Sequence, residues 1–456
     1  MRMLFVKKLF FALLMSAAAV LSAVEYKLTL STDKPEAVYK SGEPIVMSAQ
    51  LLADGKPAEG CRLSYTHFIN GNAVKSGRHN VGSTPLAVRT SLNAPGWTHI
   101  NCKAFDKAGK PIRVKVIVKG KPVIQQLSGG IGAMTDPEKL DAVYPEPEDF
   151  DAFWDNLRKI TLTPPIRVLE KVDVTPAGRR DKFVVYDVKV ECAGVDPVSG
   201  YLIIPKNAKA KSLPAIVQYH GAGFRSSKMP FNYAEQGMIV FDVNAHGILN
   251  GQNKTYYDKV RADITKRCGG RYNHSFKDNR DKYYYKAVYM RVMRSLQYVK
   301  SLPEWDGKHL IVTGGSQGGA QVIAACALDK DITFARALVP AMSDHSGSLA
   351  GRQSGWPRLY LPDSKGNPEN PAVARAVAYY DNCYFARRIK CPIYVCTGFI
   401  DTVCSPTSVF AFYNNLPKST RKSMCITPTG FHTSVDRYFP AAFAAYLKQI
   451  KKENSK

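Results

Sequence analysis

One serine stands among four glycines in the stretch T-G-G-S-Q-G-G, residues 313–319. Gly314 to Gly318 fits the pattern G-x-S-x-G, in which a tight, strained turn between a strand and a helix lifts a serine hydroxyl clear of a sheet. Such a hydroxyl can attack an acyl group if a histidine takes its proton and a carboxylate orients that histidine. Glycine-rich turns also occur without any chemistry, so the partners of Ser316 decide between the two interpretations.

Two histidines follow Ser316 in the chain, His345 and His432. Where this kind of turn carries a nucleophile, the chain order is serine, then aspartate or glutamate, then histidine, with the histidine after the last strand. His432 follows the last predicted strand, whereas His345 follows the strand next after the serine turn. We therefore predict His432 as the general base and keep His345 as the alternative.

The orienting carboxylate is expected after the next-to-last strand. The segment G-F-I-D-T-V-C-S-P places Asp401 there, three residues after Gly398. Asp381 precedes that strand and Asp436 follows the histidine, so both remain weaker candidates. The sequence thus predicts Ser316, Asp401 and His432 as the catalytic residues.

An oxyanion formed in acyl transfer needs N–H donors that are already in place. One predicted donor is the backbone N–H of Gln317, and the second is that of Ala222 in the loop H-G-A-G, residues 220–223. His220 opens this loop, and we expect it to orient the turn, with contact to substrate as a further candidate role. No metal-ligand spacing of histidine or cysteine occurs, so we predict no structural metal.

These residues must be positioned by a scaffold, and the pattern from 148 to the C-terminus indicates which one. Short apolar strands alternate with helical stretches, which is typical of a mostly parallel sheet covered by helices on both faces. Ligands of such sheets bind outside the carboxyl ends of the strands. The serine turn, Gly398 and the H-G-A-G loop all follow predicted strands, so residues 148–456 are predicted to form an α/β-hydrolase domain.

The preceding part of the chain has a different pattern. Residues 24–126 contain alternating runs such as Y-K-L-T-L and I-R-V-K-V-I-V, separated by turns such as A-D-G-K and I-N-G-N. This pattern predicts a small Ig-like β-sandwich without a catalytic constellation, and packing or spacing is its expected role. Residues 127–147 are rich in glycine and proline and are predicted to be a linker.

The first 23 residues have three basic side chains followed by an apolar run that ends in small residues. This is the layout of a secretory signal peptide, with cleavage expected after Ala23, so we predict a secreted or periplasmic protein. No later apolar run is long enough to span a membrane. Ten cysteines suit an oxidising compartment, and Cys61 and Cys102 could form a disulfide.

The formal net charge of the whole chain is +25. Because the lysines are scattered rather than grouped, we favour a charged surface that aids solubility over attraction to an acidic polymer or membrane. An exported chain without a recognised nucleic-acid-binding motif is not expected to bind nucleic acid.

Several stretches resemble the acetyl xylan esterase and cephalosporin C deacetylase family, carbohydrate esterase family 7. They are D-F-D-A-F-W at 149–154, D-K-Y-Y-Y-K-A-V-Y at 281–289, the serine turn, A-C-A-L-D, and D-T-V-C-S-P at 401–406. The resemblance covers the chain from about Pro147 onward, and it implies the same three catalytic residues, no cofactor, and removal of acetyl groups from acetylated xylo-oligosaccharides. The family is often hexameric, so a homo-oligomer is one assembly that it allows.

This chain departs from the family pattern at three places. The usual H-G-Y loop has Ala222 in place of the tyrosine, which leaves a backbone donor but changes the acyl pocket. The usual G-H-E reads G-F-H-T, which inserts Phe431 before the histidine, and the usual R-G-Q-G reads N-A-H-G with His246. We therefore also regard His246 and Phe431 as candidate substrate contacts.

Two alternative functions follow from these departures and from the extra domain. The first is an esterase of other acyl specificity, or a peptidase, on the same fold, because fold does not fix function. The second is a carbohydrate-binding protein whose hydrolase domain is inactive.

Overall fold

The computed structural model describes residues 24–118, 121–432 and 439–454, so the predicted signal peptide at 1–23 lies outside the described residues. Within these ranges the first part of the chain forms strands without an intervening α-helix. These strands are β1 (Tyr26–Thr32), β2 (Val38–Tyr39), β3 (Ile45–Ala53), β4 (Lys56–Pro57), β5 (Arg62–Ile69), β6 (Asn72–Asn80), β7 (Leu86–Thr90), β8 (Gly96–Phe105), β9 (Arg113–Val118), β10 (Lys121–Gln126) and β11 (Ser128–Thr135).

The rest of the described chain alternates between helices and strands. Its strands are β12 (Val168–Asp173), β13 (Phe183–Cys192), β14 (Val195–Pro205), β15 (Leu213–Tyr219), β16 (Ile239–Asn244), β17 (Trp305–Gly315), β18 (Ile332–Leu338), β19 (Ile393–Gly398) and β20 (Lys422–Thr427). Its helices are α1 (Phe150–Leu162), α2 (Phe231–Ala234), α3 (Lys254–Arg267), α4 (Tyr284–Lys300), α5 (Gln317–Leu328), α6 (Pro371–Ala378), α7 (Asn382–Ala386), α8 (Pro406–Asn414) and α9 (Phe439–Asn454).

The all-β region is built from two main sheets. One has the order β1-β3-β4 with β7 also paired to β3, and the other has the order β2-β11-β8-β5-β6. Alternate residues of β3 are buried, including Met47 and Leu51, and they share one apolar core with Trp97 and Ile100 of β8. This inward and outward alternation is what a strand with one buried face requires.

The structure differs from the predicted linker in its first half. Ser128–Thr135 forms β11, which pairs antiparallel with β8 over its full length. The glycines that suggested a linker instead allow close packing, because a Cβ atom at Gly132 would lie 2.1 Å from the carbonyl oxygen of Phe399. Burial of Ile131 and Met134 supplies the apolar contacts of this strand.

The hydrolase domain has a nine-stranded sheet with the order β12-β13-β14-β16-β15-β17-β18-β19-β20. Pairing is antiparallel as far as β14 and β16, and parallel from β16 to β20. The central strands are buried on both faces, which explains their continuous apolar sequences. The domain therefore has the predicted α/β-hydrolase fold, and the carboxyl ends of β15, β17, β19 and β20 lie along one edge of the sheet.

All ten cysteines lie within the described residues, and none of them forms a disulfide. Cys61 and Cys102, the predicted pair, are both buried thiols in the core of the all-β region. Burial raises the pKa of the Cys102 thiol to about 12, which keeps it protonated at neutral pH.

No helix in the described residues is both long and apolar enough to cross a membrane.

Candidate active site

The serine turn joins β17 to α5, and its backbone is strained at the serine. Ser316 has φ 58° and ψ −123°, a backbone conformation that residues other than glycine rarely adopt. The flanking glycines are required by the packing, because a Cβ atom would lie 2.5 Å from the carbonyl oxygen of Gly318 if placed at Gly314, and 2.1 Å from that of Tyr219 if placed at Gly318. The pattern G-x-S-x-G thus forms the expected turn, with Ser316 at its tip.

Asp401 and His432 meet at the carboxyl ends of β19 and β20. His432 Nδ1 lies 2.8 Å from Asp401 Oδ2, while the other oxygen of Asp401 accepts the backbone N–H groups of Val403 and Cys404 at 2.8 and 3.0 Å. Asp401 is fully buried, whereas the side chain of His432 is 22% exposed. The carboxylate is therefore fixed by three donors. It binds the Nδ1 edge of an imidazole that solvent can reach.

Cys404 connects the acid to the serine. Its backbone N–H donates to Asp401, and its thiol lies close enough to the Ser316 side chain for the serine to influence the pKa of the thiol. Burial and the nearby charge of Asp401 raise the pKa of this thiol well above its usual range, so it stays neutral. Sequence reasoning missed this residue, although it lies within the D-T-V-C-S-P motif.

The two predicted oxyanion donors lie next to the serine. Gln317 is the first residue of α5, and the first N–H groups of a helix have no partner within the helix. The H-G-A-G loop packs against the turn, since a Cβ atom at Gly221 would lie 3.6 Å from Cβ of Ser316. The side chain of Gln317 is buried and its Oε1 accepts the hydroxyl groups of Tyr272 and Tyr285, which hold the start of the helix.

Arg225 orients the peptide groups of this loop. Its guanidinium donates to the carbonyl oxygens of Gly221 and Ala222, at 3.0 and 2.9 Å. Because a trans peptide is planar, the N–H of Ala222 points away from the Gly221 carbonyl and hence away from Arg225. Arg225 is a second residue that the sequence patterns do not identify, since a single exposed arginine in a loop has no distinctive signature.

The predicted substrate contact His220 is buried, and both of its ring nitrogens are engaged. Nδ1 lies 2.7 Å from the carbonyl oxygen of Gly221, and Nε2 accepts the backbone N–H of Ala245 at 3.3 Å. Burial lowers the pKa of His220 to about 4, so the ring is neutral at pH 7. These contacts tie the loop to the end of β16, which is the orienting role expected for this residue.

The predicted substrate contact His246 is also buried. Its Nδ1 lies 2.8 Å from the hydroxyl oxygen of Tyr284, and its ring stacks on Phe224 at 4.3 Å between centroids. Burial lowers the pKa of His246 well below its usual range. Of the three residues predicted to contact substrate, Phe431 alone has an exposed side chain, at 52%.

The alternative residues take up other positions. His345 is buried, and its backbone N–H donates to Asp381. Asp381 also accepts the N–H groups of Asp344 and Cys383, so its carboxylate fixes the backbone between β18 and α7. Asp436 lies outside the described residues.

The fold and the site define a carboxylic ester hydrolase of the α/β-hydrolase type. The family model for acetyl xylan esterase (AXE1) matches residues 136–450. The chain belongs to this family, and the match begins directly after β11, so the all-β region lies outside it.

Individual relatives agree with the family. The chain is 34% identical to the acetyl esterase Axe7A of Xylanibacter ruminicola over 319 residues, which cover 69% of this chain and 70% of the relative. The acetyl xylan esterase from Paenibacillus sp. R4 is 25% identical with a TM-score of 0.55, covering 69% of this chain and 98% of that one. Acetyl xylan esterase 1 from Thermoanaerobacterium sp. JW/SL YS485 shares the fold at 22% identity and a TM-score of 0.56, covering 68% of this chain and 97% of that one.

Proposed function

We propose that this protein is an exported serine esterase that removes acetyl groups from acetylated xylan or related oligosaccharides. The observation that carries the proposal is the 2.8 Å contact between His432 Nδ1 and Asp401 Oδ2, at the same edge of the sheet as the strained turn of Ser316. Membership of the acetyl xylan esterase family supports acetyl as the acyl group that is removed.

In this mechanism His432 accepts the proton of Ser316 through Nε2 as the serine oxygen attacks the acetyl carbonyl carbon. Asp401 accepts a hydrogen bond from the Nδ1–H group, so it selects the tautomer with a free Nε2 and stabilises the imidazolium that forms. The N–H groups of Gln317 and Ala222 stabilise the oxyanion. His432 then protonates the sugar oxygen as the C–O bond breaks, and a water molecule, activated by the same histidine, releases acetate from Ser316.

The decisive test combines a substrate panel with one variant. The wild-type protein should release acetate from acetylated xylan and from a small chromogenic acetate, and Ser316→Ala should reduce both rates to background. A serine that the mechanism does not use provides the control, because Ser83→Ala removes an exposed hydroxyl from the loop between β6 and β7 and should retain full activity. If Ser316→Ala kept most of the activity, the assignment of the nucleophile would be wrong.

The acyl specificity depends on the loop around Ala222, whose methyl group stands where the family resemblance leads us to expect a tyrosine. Acetate, butyrate, feruloyl and peptide substrates compared at equal concentration distinguish the proposed function from an esterase of other specificity or a peptidase. The proposal requires that acetate is preferred. Binding to acetylated xylan without any release of acetate would instead support an inactive hydrolase that binds carbohydrate.

Export is tested separately. The basic and apolar layout of residues 1–23 predicts cleavage after Ala23. Expression of the full chain in a secreting host should give mature protein that begins at Val24 outside the cytoplasm. A chain that keeps Met1 and stays in the cytoplasm would contradict this part of the proposal.

A further inference from the structure

A groove of about 920 Å³ lies between the five-stranded sheet of the all-β region and the loops that carry the acid and the base. On the hydrolase side it is lined by Ile400 and Phe431. These residues directly precede Asp401 and His432, so the groove begins beside the catalytic pair. On the other side it is lined by residues of β5, β6, β8, β10 and β11.

The far end of this groove carries a cluster of cations. Ser64 of β5 is the cross-strand neighbour of Arg78 on β6 and of Lys103 on β8. The two cations therefore lie on either side of one serine, about 10 Å apart at the backbone. Both are exposed, and both also line a smaller adjoining hollow to which Arg62 contributes a third positive charge.

No negative charge of the described residues balances this cluster within the groove. Among the described residues that line the groove or the adjoining hollow, none is an aspartate or a glutamate. Ion pairs found elsewhere in the described ranges do not include Arg62, Arg78 or Lys103. Three uncompensated cations on one concave surface attract an anionic ligand.

The sheet between the cations and the catalytic loops is polar and uncharged. Thr66 lies opposite Ser76 on one side and Asn101 on the other, and these residues line the groove one row nearer the active site. Phe68 follows two residues further along β5 and also lines the groove, and Ile400 reaches its middle, because a Cβ atom at Gly130, the partner of Asn101, would lie 3.4 Å from Ile400 Cδ1. Along β5 the distance from Ser64 to Phe68 is about 13 Å, which is greater than the length of one sugar ring.

We propose that this groove is a binding subsite for a carboxylate-bearing segment of the acetylated polysaccharide. The hydroxyl groups of Thr66 and Ser76 and the side-chain amide of Asn101 bind sugar hydroxyls. The rings of Phe68 and Phe431 pack against the apolar faces of the sugar. Arg78 and Lys103 pair with carboxylates of uronic acid units. The inference rests on the proposed function, and it gives the all-β region a direct role in choosing the substrate.

The test removes the two charges without changing the catalytic residues. The double variant Arg78→Gln/Lys103→Gln is compared with Lys27→Gln/Arg89→Gln, which removes two exposed cations from the other sheet of the same region. The substrates are acetylated xylo-oligosaccharides with uronic acid units, the same oligosaccharides after reduction of their carboxyl groups, and a small chromogenic acetate.

We expect the wild type to have a lower KM for the acidic oligosaccharides than for the reduced ones, by about three- to tenfold for two exposed ion pairs. The groove variant should lose this difference and keep its rates on the reduced oligosaccharides and the small acetate. The control variant should behave like the wild type. The preference should also vanish at high salt, because exposed charges are screened.

Binding of a deacetylated acidic oligosaccharide, measured by calorimetry, needs no hydrolysis and separates this inference from the proposed function. Weaker binding by the groove variant than by the control supports the subsite even if no acetate is released from any substrate. Equal binding by both variants, or a wild type that does not distinguish acidic from reduced oligosaccharides, overturns it.

Discussion

The indole nitrogen of Trp97 donates a hydrogen bond of 2.6 Å to the backbone carbonyl oxygen of Phe399. Trp97 belongs to β8 of the all-β region and is fully buried, and Phe399 lies two residues before Asp401. A second bond of 3.0 Å links the N–H of Gly132 to the carbonyl oxygen of Pro428, on the segment that leads to His432. The all-β region thus supports both loops that bring the acid and the base together.

Trp97→Phe tests this support. The ring of phenylalanine retains much of the packing, but the buried carbonyl of Phe399 loses its donor, which costs about 1–3 kcal/mol. Because the affected backbone leads directly into Asp401, we expect kcat on a small acetate to fall about tenfold, as small displacements of catalytic groups do. Unfolding in urea and steady-state kinetics measure the two effects.

Trp154→Phe is the matched control for this prediction. Its indole nitrogen also donates to a buried backbone carbonyl, that of Tyr379, at 2.9 Å, but on α1 and away from the catalytic loops. It should lose a similar amount of stability and keep kcat within about twofold of the wild type. Equal losses of kcat in both variants would mean that the Trp97 contact acts only through overall stability.

The local part of the architecture was accessible from the sequence. Apolar strands that alternate with helices predict a parallel sheet, and the requirement for glycine at Gly314 and Gly318 is visible in the pattern because it arises from the backbone of a single turn. The chain order of Ser316, Asp401 and His432 follows from their positions after β17, β19 and β20, and the structure places the last two in contact.

Contacts between distant parts of the chain were not accessible. Trp97 and Phe399 are 302 positions apart, and no periodicity links them. The glycines of β11 cannot be distinguished from those of a linker by sequence alone, because the backbone that packs against them belongs to a distant part of the chain. The role of Arg225 is hidden for the same reason, since it depends on the direction of two carbonyl groups.

Asp401→Asn should reduce kcat by about 10⁴-fold and leave the fold intact. An amide oxygen can still accept the N–H groups of Val403 and Cys404, which preserves the loop. The amide nitrogen then faces His432 and donates to Nδ1, so the imidazole carries its proton on Nε2 and cannot accept one from Ser316. Acetate release and thermal unfolding of the purified variant measure the two properties.

Asp381→Asn is the comparison for Asp401→Asn, and it should lose stability rather than kcat. Asp381 accepts three backbone N–H groups, and an amide nitrogen would oppose one of them. We expect a loss of about 1.5–3 kcal/mol in the free energy of unfolding, with kcat of the folded protein within a fewfold of the wild type. A large loss of kcat in this variant and a small loss in Asp401→Asn would exchange the roles of the two aspartates.

Arg225→Met should weaken the oxyanion site. The variant keeps the length of the side chain but no longer holds the carbonyl oxygens of Gly221 and Ala222, so the N–H of Ala222 loses its fixed direction. We expect kcat to fall about 10- to 100-fold with little change in KM, somewhat less than for complete removal of an oxyanion donor. Lys228→Met, an exposed cation three residues later, is the control and should retain kcat.

Asp242 makes stability depend on pH in a direction opposite to that of most acidic residues. It is fully buried at the end of β16 and accepts bonds from Gln218 Nε2 at 2.6 Å and from the N–H of Lys228 at 3.0 Å. Burial raises its pKa to about 6, against the hydrogen bonds and the charges of Lys228 and Arg225 that favour the ionised form. In the unfolded chain the pKa is about 3.9.

Because the folded state binds this proton more tightly, the free energy of unfolding decreases as the pH rises from about 4 to 6 and is then level with respect to this group. Asp242→Asn removes the effect and keeps both bonds once the amide of Gln218 turns over. At pH 7 the variant should therefore be more stable than the wild type by about 2–3 kcal/mol, and at pH 4 the two should be equally stable. Urea unfolding of both proteins from pH 4 to 8 measures this difference in the free energy of unfolding. Burial also raises the pKa of Asp344, to about 7, but its contribution is the same in both proteins and cancels in the difference. A constant difference across this range would show that Asp242 does not change its protonation there.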